Sequence, residues 1–442
     1  MTETMVSPVE TALENQRIGS LQIRVVILCG LIQICDAFDV NSIGIVVPSL
    51  THAWNLPGPA FTVAFLWSSI GILIGAISAG PIGDRVGRKP LLIGSLLIFG
   101  AASLGSAFAG SLRTLTILRF FTGLGIGGGF PGAASLTGDY APRHRRALMI
   151  MVSFTGAPVG GFLCGQLAGV LLPIFGWQSI FVVGGIVPVL IVAGLAPWLP
   201  ESPRFLATKS KLSPRQAALL RRLDITPGQT VAHGIDLAQG NPITMLFGEG
   251  YALQTALLWI IFFCSLLNLF LFAYWLPEVL HLIGMTPAEA ARTSSFREGG
   301  AIVAVLYLGV LIDRFGPERS LAWHFAAGIA FIAAIALVPM PHLLLTGAIF
   351  FAGMTIVGSQ TGANAACGKL YPARMRTSGL GWALGVGRLG GIAAPVLGGY
   401  LLRSGRPPAQ IFLSACLFAL VAAIATGLLA FRGSRAAANG TS

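Results

Sequence analysis

The sequence predicts an all-α membrane protein of twelve transmembrane helices in two six-helix bundles, and three observations support this prediction. Mean hydropathy is +0.80 and charged residues make up only 10% of the chain, whereas soluble domains carry about 25%. Apolar runs of about 20 residues, the length that crosses a bilayer, recur about twelve times. One polar loop motif appears twice, which indicates two related halves.

The apolar runs predict six spans in each half. Residues 25–199 contain the first bundle, with spans at Val25–Leu50, Ala60–Gly80, Pro90–Gly110, Thr114–Gly138, Ala147–Pro173 and Trp177–Leu199. Residues 251–431 contain the second, with spans at Tyr251–Leu276, Thr293–Ile312, Ser320–Pro339, Leu343–Gly368, Ser378–Leu402 and Ile411–Phe431. Residues 1–24 and 432–442 are predicted tails, and residues 200–250 form a central loop too polar to enter lipid.

The net charge of +12 indicates membrane orientation and not nucleic-acid binding. With the amino terminus inside, most basic residues fall in cytoplasmic segments, and the outside loops keep only Arg113, Arg292, Arg403 and Arg406. Cytoplasmic loops of membrane proteins carry an excess of Lys and Arg. Both termini are therefore predicted to be cytoplasmic.

Two loops carry the internal repeat. Gly80-Pro-Ile-Gly-Asp84-Arg85-Val-Gly87-Arg88-Lys89 lies between spans two and three, and Gly309-Val-Leu-Ile-Asp313-Arg314-Phe-Gly316 lies between spans eight and nine. Tyr140-Ala-Pro142 is echoed in the same way by Tyr371-Pro372. Repeats of this kind are typical of carriers that bind their substrate near the bilayer midplane.

Two carboxylates, Asp36 and Asp39, lie on one face of the first span. A charge at the bilayer centre costs about 2.5–3.5 kcal/mol on insertion scales, so such groups indicate a lined cavity with a cationic or protonic partner. A helical rise of about 1.5 Å per residue places Arg119 of span four at the depth of Asp39. We predict that Asp36 and Asp39 share proton binding, with Arg119 as the tuning charge; a purely structural ion pair is the alternative.

The repeated loop resembles the signature of the major facilitator superfamily. Further segments resemble its aromatic acid:proton symporter branch: Asp36-Ala-Phe-Asp39, Arg119 to Pro131, Tyr274-Trp-Leu-Pro277, and Tyr371 to Arg388. The resemblance covers nearly the whole chain. It implies the major facilitator fold and proton-coupled import of hydroxybenzoates or protocatechuate by alternating access. Arg297-Glu298 inside span eight departs from the branch.

Arg388, near the middle of span eleven, is the predicted anchor for the substrate carboxylate, because a guanidinium can donate two parallel hydrogen bonds to it. The alternative is a salt bridge from Arg388 to Glu298, although Arg297 and Glu298 could equally form a pair of their own. Aromatic acid recognition also requires an apolar wall with a few polar groups. Candidate substrate contacts are Phe38, Tyr274, Phe296, Glu298, Gln360, Asn364 and Trp382. Asn268, Gln360 and Asn364 are expected to be buried amides that either bind a substrate hydroxyl or link helices.

The first signature loop is predicted to be a cytoplasmic gate. Asp84 is expected to accept hydrogen bonds from the positive end of a neighbouring helix and from arginines, and Asp139 with Arg145 or Arg146 is expected to form a companion cluster. The predicted gate residues are Gly83, Asp84, Arg85, Gly87, Arg88, Asp139, Arg145, Asp313 and Arg314.

Cofactor and metal patterns are lacking in the sequence. The glycine-rich run Gly123–Gly129 superficially resembles a nucleotide-binding loop, but it lies in a span, where small residues let helices approach. The six histidines show no ligand spacing, and no cysteines pair as CxxC. We predict no cofactor and no metal.

These observations together predict a carrier and not an enzyme, acting as a monomer in the bacterial cytoplasmic (inner) membrane, with a small aromatic carboxylate and protons as partners. The residues alone argue only for a small organic anion. The alternatives are a proton-linked carrier of another class, either an aliphatic acid importer or a drug exporter, and a membrane receptor for aromatic acids.

Overall fold

A computed structural model describes residues 18–142, 145–209, 212–223, 225, 246–248, 251–371 and 373–438. Within these ranges all the regular secondary structure is helical. The helices of the amino-terminal part are α1 Ser20–Trp54, α2 Thr62–Val86, α3 Arg88–Ala107, α4 Leu112–Tyr140, α5 Arg146–Phe154, α6 Gly156–Phe175, α7 Gln178–Leu195, α8 Pro203–Ala207 and α9 Pro214–Arg222. A 3-10 turn, Gly58–Phe61, precedes α2.

The carboxy-terminal part contains six long helices: α10 Ala252–Leu282, α11 Pro287–Phe315, α12 Pro317–Leu337, α13 His342–Leu370, α14 Ala373–Arg403 and α15 Ala409–Ala438. Helix α11 starts with a capping box in which Thr286 and Glu289 satisfy each other's backbone N–H groups. Its first residue, Pro287, lacks an N–H where the helix needs none.

Every predicted span overlaps one of these helices. In the part of the chain that the structure describes, nine helices are long and apolar enough to cross a membrane by length and composition. The remaining predicted spans, one, four and six, coincide with α1, α4 and α7. Helices α1 and α4 carry the charged residues Asp36, Asp39 and Arg119, which reduce their apolar character.

Span five was predicted as one helix, and the structure divides it between Phe154 and Gly156 into α5 and α6. Pro158 lies in the first turn of α6 and has no N–H to donate to the carbonyl of Phe154, four residues earlier. A proline at this position interrupts the hydrogen-bond ladder. The missing donor therefore explains the break.

The internal repeat is visible in the backbone of the two signature loops. Gly87 ends the turn between α2 and α3 with φ +108°, and Gly316 ends the turn between α11 and α12 with φ +81°. Positive φ strains residues that have a Cβ. The same residue type thus occupies the same special conformation in both copies, which supports the predicted repeat.

The described residues form two compact units. The first consists of those within Met1–Val40, Trp67–Gly160 and Phe181–Asp236, and the second of those within Asn41–Leu66, Gly161–Ile180 and Leu237–Ser442. Each has its own apolar core, which includes Ile32, Leu96 and Phe99 in the first and Leu258, Phe262 and Phe325 in the second. The division at residues 25–199 and 251–431, which follows the repeat, stays a prediction.

The start of the predicted central loop packs into the core of the first unit. Leu206 of α8 and Leu220 of α9 are both fully buried there. Helix α9 begins with a capping box between Ser213 and Gln216. The segment 200–223 is therefore more than a polar linker, while residues 226–245 lie outside the described part.

Glycines bring α2 and α4 into backbone contact. A Cβ on Gly123 would overlap the carbonyl oxygen of Ser68, and a Cβ on Gly127 would overlap that of Ile72. Both helices lie in the first unit, so this glycine run serves helix packing, as the sequence analysis predicted.

Candidate functional site

A buried ion pair joins α1 to α4 in the first unit. Arg119 Nη1 lies 3.1 Å from Asp39 Oδ2, and both side chains are about 1% exposed. This contact agrees with the equal depth derived from the helical rise. Desolvated ion pairs need further hydrogen bonds to offset the loss of water, and neighbouring side chains provide them here.

Residues from α3 and α7 complete the surroundings of this pair. Ser103 Oγ donates to Asp39 Oδ1, and Arg119 Nη2 donates to Ser106 Oγ at 2.9 Å. The Arg119 guanidinium also lies 4.7 Å from the centre of the Phe181 ring, a cation–π arrangement. We call Asp39, Ser103, Ser106, Arg119 and Phe181 the Asp39–Arg119 cluster.

Asp36 lies one turn away on α1 in a different environment. Its side chain is about 2% exposed, and neither carboxylate oxygen has a hydrogen-bond partner among the described residues. It faces the backbone of α4, where a Cβ on Gly129 would lie 2.7 Å from Asp36 Oδ2. An unpaired buried carboxylate carries a high cost as an anion, which a bound proton removes.

Arg388 lies half-buried in α14 of the second unit. It forms no ion pair with a carboxylate within the described ranges, and Tyr274 of α10 interacts with it electrostatically. The alternative salt bridge to Glu298 is absent, because Glu298 pairs with Arg297. The Arg388 guanidinium is therefore available to an anion.

Arg297 and Glu298 belong to a separate polar cluster in the second unit. Arg297 Nη2 donates to Asn41 Oδ1 of α1 at 2.9 Å and also contacts Glu298 Oε1. Glu298 lies against Gly161 of α6, where a Cβ would come within 2.7 Å of Glu298 Cγ. Glu298 therefore pairs with its neighbour Arg297 and not with Arg388.

The predicted aromatic contacts differ in accessibility. Tyr274 is fully buried and stacks on Phe65 with ring centres 4.7 Å apart, and Phe38 is also buried. Phe296 is half-buried against Phe162. Trp382 is 41% exposed and stacks on Trp259, so these rings differ in how accessible they are to a substrate.

The polar candidates also separate. Gln360 is half-buried, and its Oε1 has no hydrogen-bond partner among the described residues. Asn364 was expected to be a buried amide, and this is wrong, since it is exposed on the face of α13 one turn further along. Asn268 is buried as expected and donates to the Ala415 carbonyl at 3.2 Å.

At the predicted cytoplasmic gate, Glu201 and not Asp84 accepts hydrogen bonds from a helix N-terminus. Glu201 Oε1 accepts from the backbone N–H groups of Arg88 at 2.8 Å and Lys89 at 3.1 Å, at the start of α3. Asp84, near the end of α2, is more than half exposed and forms an ion pair of 2.6 Å with Arg88, the first residue of α3. The predicted role of Asp84 at a helix end is therefore wrong.

Asp139, at the end of α4, is bound by the same segment. Ser202 Oγ donates to Asp139 Oδ2 at 2.6 Å, and Arg204 Nε lies 3.5 Å from Asp139 Oδ1. Arg88 is more distant, at 4.0 Å, and Arg146 contributes electrostatically. We call Asp84, Arg88, Asp139, Glu201, Ser202 and Arg204 the Glu201 cluster.

Four predicted gate residues lie outside this cluster. Arg85, Arg145, Asp313 and Arg314 are exposed, and none of them forms an ion pair with another described residue. Asp139 was expected to pair with Arg145 or Arg146. Arg146 interacts with Asp139 electrostatically, whereas the prediction for Arg145 is wrong. Gly83 and Gly87 are buried, and Gly87 admits no Cβ because Glu201 lies against it.

Sequence reasoning missed Glu201, Ser202, Ser103 and Glu278. The Ser202-Pro203 pair is a helix-start signal, and Ser202 does accept from Phe205 N at 3.3 Å; that signal could have drawn attention to Glu201. Glu278 of α10 is about 3% exposed, and its Oε2 has no hydrogen-bond partner in the described part of the chain. Glu278 directly follows Pro277, and this local sequence contains no pattern that predicts a buried carboxylate.

The nine apolar helices among the described residues place the chain in the class of polytopic membrane proteins. Residues 29–361 and 258–441 both match the family model of the Major Facilitator Superfamily. The chain belongs to this superfamily and is a multi-pass membrane protein.

Several similar proteins are named after the compounds that they transport. The chain is 35% identical to a gallate transporter of Pseudomonas putida over 93% of both proteins. It is 31% identical to a 4-hydroxybenzoate transporter of the same organism over 90% of both. A solved D-xylose-proton symporter superposes with a TM-score of 0.70 at 18% identity, covering 92% of this chain and 97% of that one; at this identity the likeness concerns the fold alone.

Proposed function

We propose that this protein imports a small aromatic carboxylate together with protons across the bacterial cytoplasmic membrane by alternating access. The observation that carries the proposal is the half-buried Arg388, which has no carboxylate partner among the described residues and lies in a chain similar to gallate and 4-hydroxybenzoate transporters. A substrate carboxylate would supply the missing partner.

Asp36 is the proton carrier in this proposal, and Asp39 stays ionised. Arg119 and Ser103 stabilise the Asp39 carboxylate, whereas Asp36 is desolvated and has no described hydrogen-bond partner. A nearby cation favours the charged form of an acid, and burial favours the neutral form. Asp36 therefore gains more from a proton, and its contact with α4 links its protonation to the packing of α1 on α4.

Both termini are proposed to be cytoplasmic, on the basis of the distribution of basic residues. One chain supplies all the proposed residues, so transport by a monomer suffices. The proposed substrate contacts in addition to Arg388 are Phe296, Gln360, Asn364 and Trp382, because they are at least partly accessible.

Uptake into proteoliposomes tests the proposal. Labelled 4-hydroxybenzoate and gallate are offered with and without an imposed inward proton gradient, and cyclohexanecarboxylate serves as the matched competitor that keeps the carboxylate but lacks the aromatic ring. We expect accumulation that depends on the gradient and competition by aromatic acids only. Equal competition by cyclohexanecarboxylate would favour an aliphatic acid carrier, and accumulation without the gradient would exclude proton symport.

A further inference from the structure

Two histidines far apart in the sequence meet in the second unit. His52 Nε2, near the end of α1, lies 3.0 Å from His281 Nε2, near the end of α10. The rings are nearly perpendicular, with an interplanar angle of 80°. The separation of 229 positions equals the offset between Asp84 and Asp313 in the two signature loops, so the histidines occupy equivalent positions of the repeat.

The hydrogen bond on the other side of His281 determines which nitrogen carries its proton. His281 Nδ1 lies 2.7 Å from the Met285 carbonyl oxygen, which can only accept, so Nδ1 is the donor. The Nε2 of neutral His281 then presents a lone pair toward His52. A histidine whose second nitrogen donates to a carbonyl is the usual arrangement of a metal ligand.

We propose that His52 and His281 bind a borderline divalent metal ion, with Zn²⁺ as the best fit. Zinc–nitrogen bonds of about 2.0–2.1 Å across the 3.0 Å gap give an N–Zn–N angle of about 91–97°. The ring centres are 5.2 Å apart, so the two Nε2 atoms point nearly at each other, and both rings must turn to aim their lone pairs at one ion. Opening the pair by a few tenths of an ångström then gives the tetrahedral angle. His52 is exposed and His281 is partly exposed, so water can fill the remaining coordination positions.

The site has two protein ligands, and no group of three or more His, Cys, Asp or Glu suited to a metal occurs in the described residues. The affinity is therefore expected to be micromolar, below that of structural zinc sites with four ligands. Because the ligands come from different helices, a bound ion joins the end of α1 to the end of α10. Motion that separates these ends then becomes slower.

Calorimetric titration of Zn²⁺ into purified protein without a histidine tag tests the site independently of transport. We expect the wild type to bind one ion per chain. His52→Ala and His281→Ala should each bind zinc at least tenfold more weakly. His281→Cys should retain binding, since a thiolate also ligates zinc. His342→Ala is the matched control, because His342 is exposed, bonds to Thr293 at 3.2 Å and interacts electrostatically with Glu289. Mg²⁺, which prefers oxygen ligands, should not bind.

Two results would overturn the proposal. The first is that the wild type binds no zinc up to about 1 mM, a concentration at which even a weak complex forms. The second is that the His52→Ala/His281→Ala double variant binds zinc as well as the wild type does. The first would leave the pair as a hydrogen bond between neutral rings. Slower uptake in the presence of Zn²⁺ is a second expectation. That expectation depends on the proposed transport function, whereas the titration does not.

Discussion

Asp36 and Asp39 are three positions apart on α1, yet the structure gives them different partners. Asp39 accepts from Ser103 and pairs with Arg119, while Asp36 faces the backbone at Gly129. A neutral amide can replace a protonated acid in such a place more easily than it can replace a paired anion. The two residues should therefore respond differently to the same substitution.

We expect Asp36→Asn to abolish accumulation driven by a proton gradient but to retain exchange of labelled for unlabelled substrate. The amide mimics a permanently protonated side chain, so the loaded carrier can still reorient. Proteoliposome uptake with and without a gradient, compared with counterflow, measures both quantities. Full accumulation by this variant would remove Asp36 from the coupling.

Asp39→Asn is the matched variant, and we expect it to lose both accumulation and exchange. It leaves Arg119, about 1% exposed, without its carboxylate, and breaking a buried pair costs about 3–5 kcal/mol. Thermal unfolding of the purified variant reports that loss directly. Unchanged stability together with retained exchange would contradict the stabilising role of the Asp39–Arg119 cluster.

We expect Arg388→Ala to raise the KM for 4-hydroxybenzoate by tenfold or more. Hydrogen bonds to charged groups contribute about 1.5–3 kcal/mol, and each 1.4 kcal/mol is about tenfold in affinity. Arg406→Ala is the control, since Arg406 is exposed beyond the end of α14, where it bonds to Gln410. An unchanged KM for Arg388→Ala would refute the anchoring role.

At the scale of elements, the start of α3 depends on a side chain more than a hundred positions away. Glu201 satisfies two N–H groups that the helix leaves without partners, and its negative charge lies at the positive end of the helix. The Tyr140 hydroxyl holds the same segment by donating to the Glu201 carbonyl at 2.6 Å. The Glu201 cluster is thus centred on the segment that follows α7.

We expect Glu201→Gln to lower the free energy of unfolding by about 1–2 kcal/mol, as loss of a charged helix cap does. Asp84→Asn is the matched control, because Asp84 is more than half exposed in its pair with Arg88 and exposed pairs contribute about 0.2–1 kcal/mol. Denaturant unfolding in detergent compares the two. Equal effects would mean that Glu201 is no more than another surface charge.

The helices could be predicted from the sequence, whereas part of the site could not, for a physical reason. Spans follow from local hydropathy, and the equal depth of Asp39 and Arg119 follows from the rise of a helix. Glu201, Ser103 and the pair of His52 and His281 depend on which helices are neighbours and how they are rotated. In a single sequence, the constant offset between the two copies of the repeat is the only trace of which helices are neighbours.

At the scale of the whole molecule, the repeat and the family agree with the fold, while the membrane orientation rests on the charge distribution alone. The described cysteines are well suited to a test: Cys29, Cys35, Cys164, Cys264 and Cys367 are buried, and Cys416 is partly so. An introduced surface cysteine should therefore label selectively.

We expect a membrane-impermeant maleimide to label Arg113→Cys in intact cells and Arg85→Cys only after permeabilisation. Both positions are exposed at opposite ends of their spans, so accessibility of the side chain is matched and the membrane side is the variable. The expectation follows from the excess of basic residues in the loops predicted to be cytoplasmic. Labelling of Arg85→Cys in intact cells, with protection of Arg113→Cys, would show that the predicted topology is inverted.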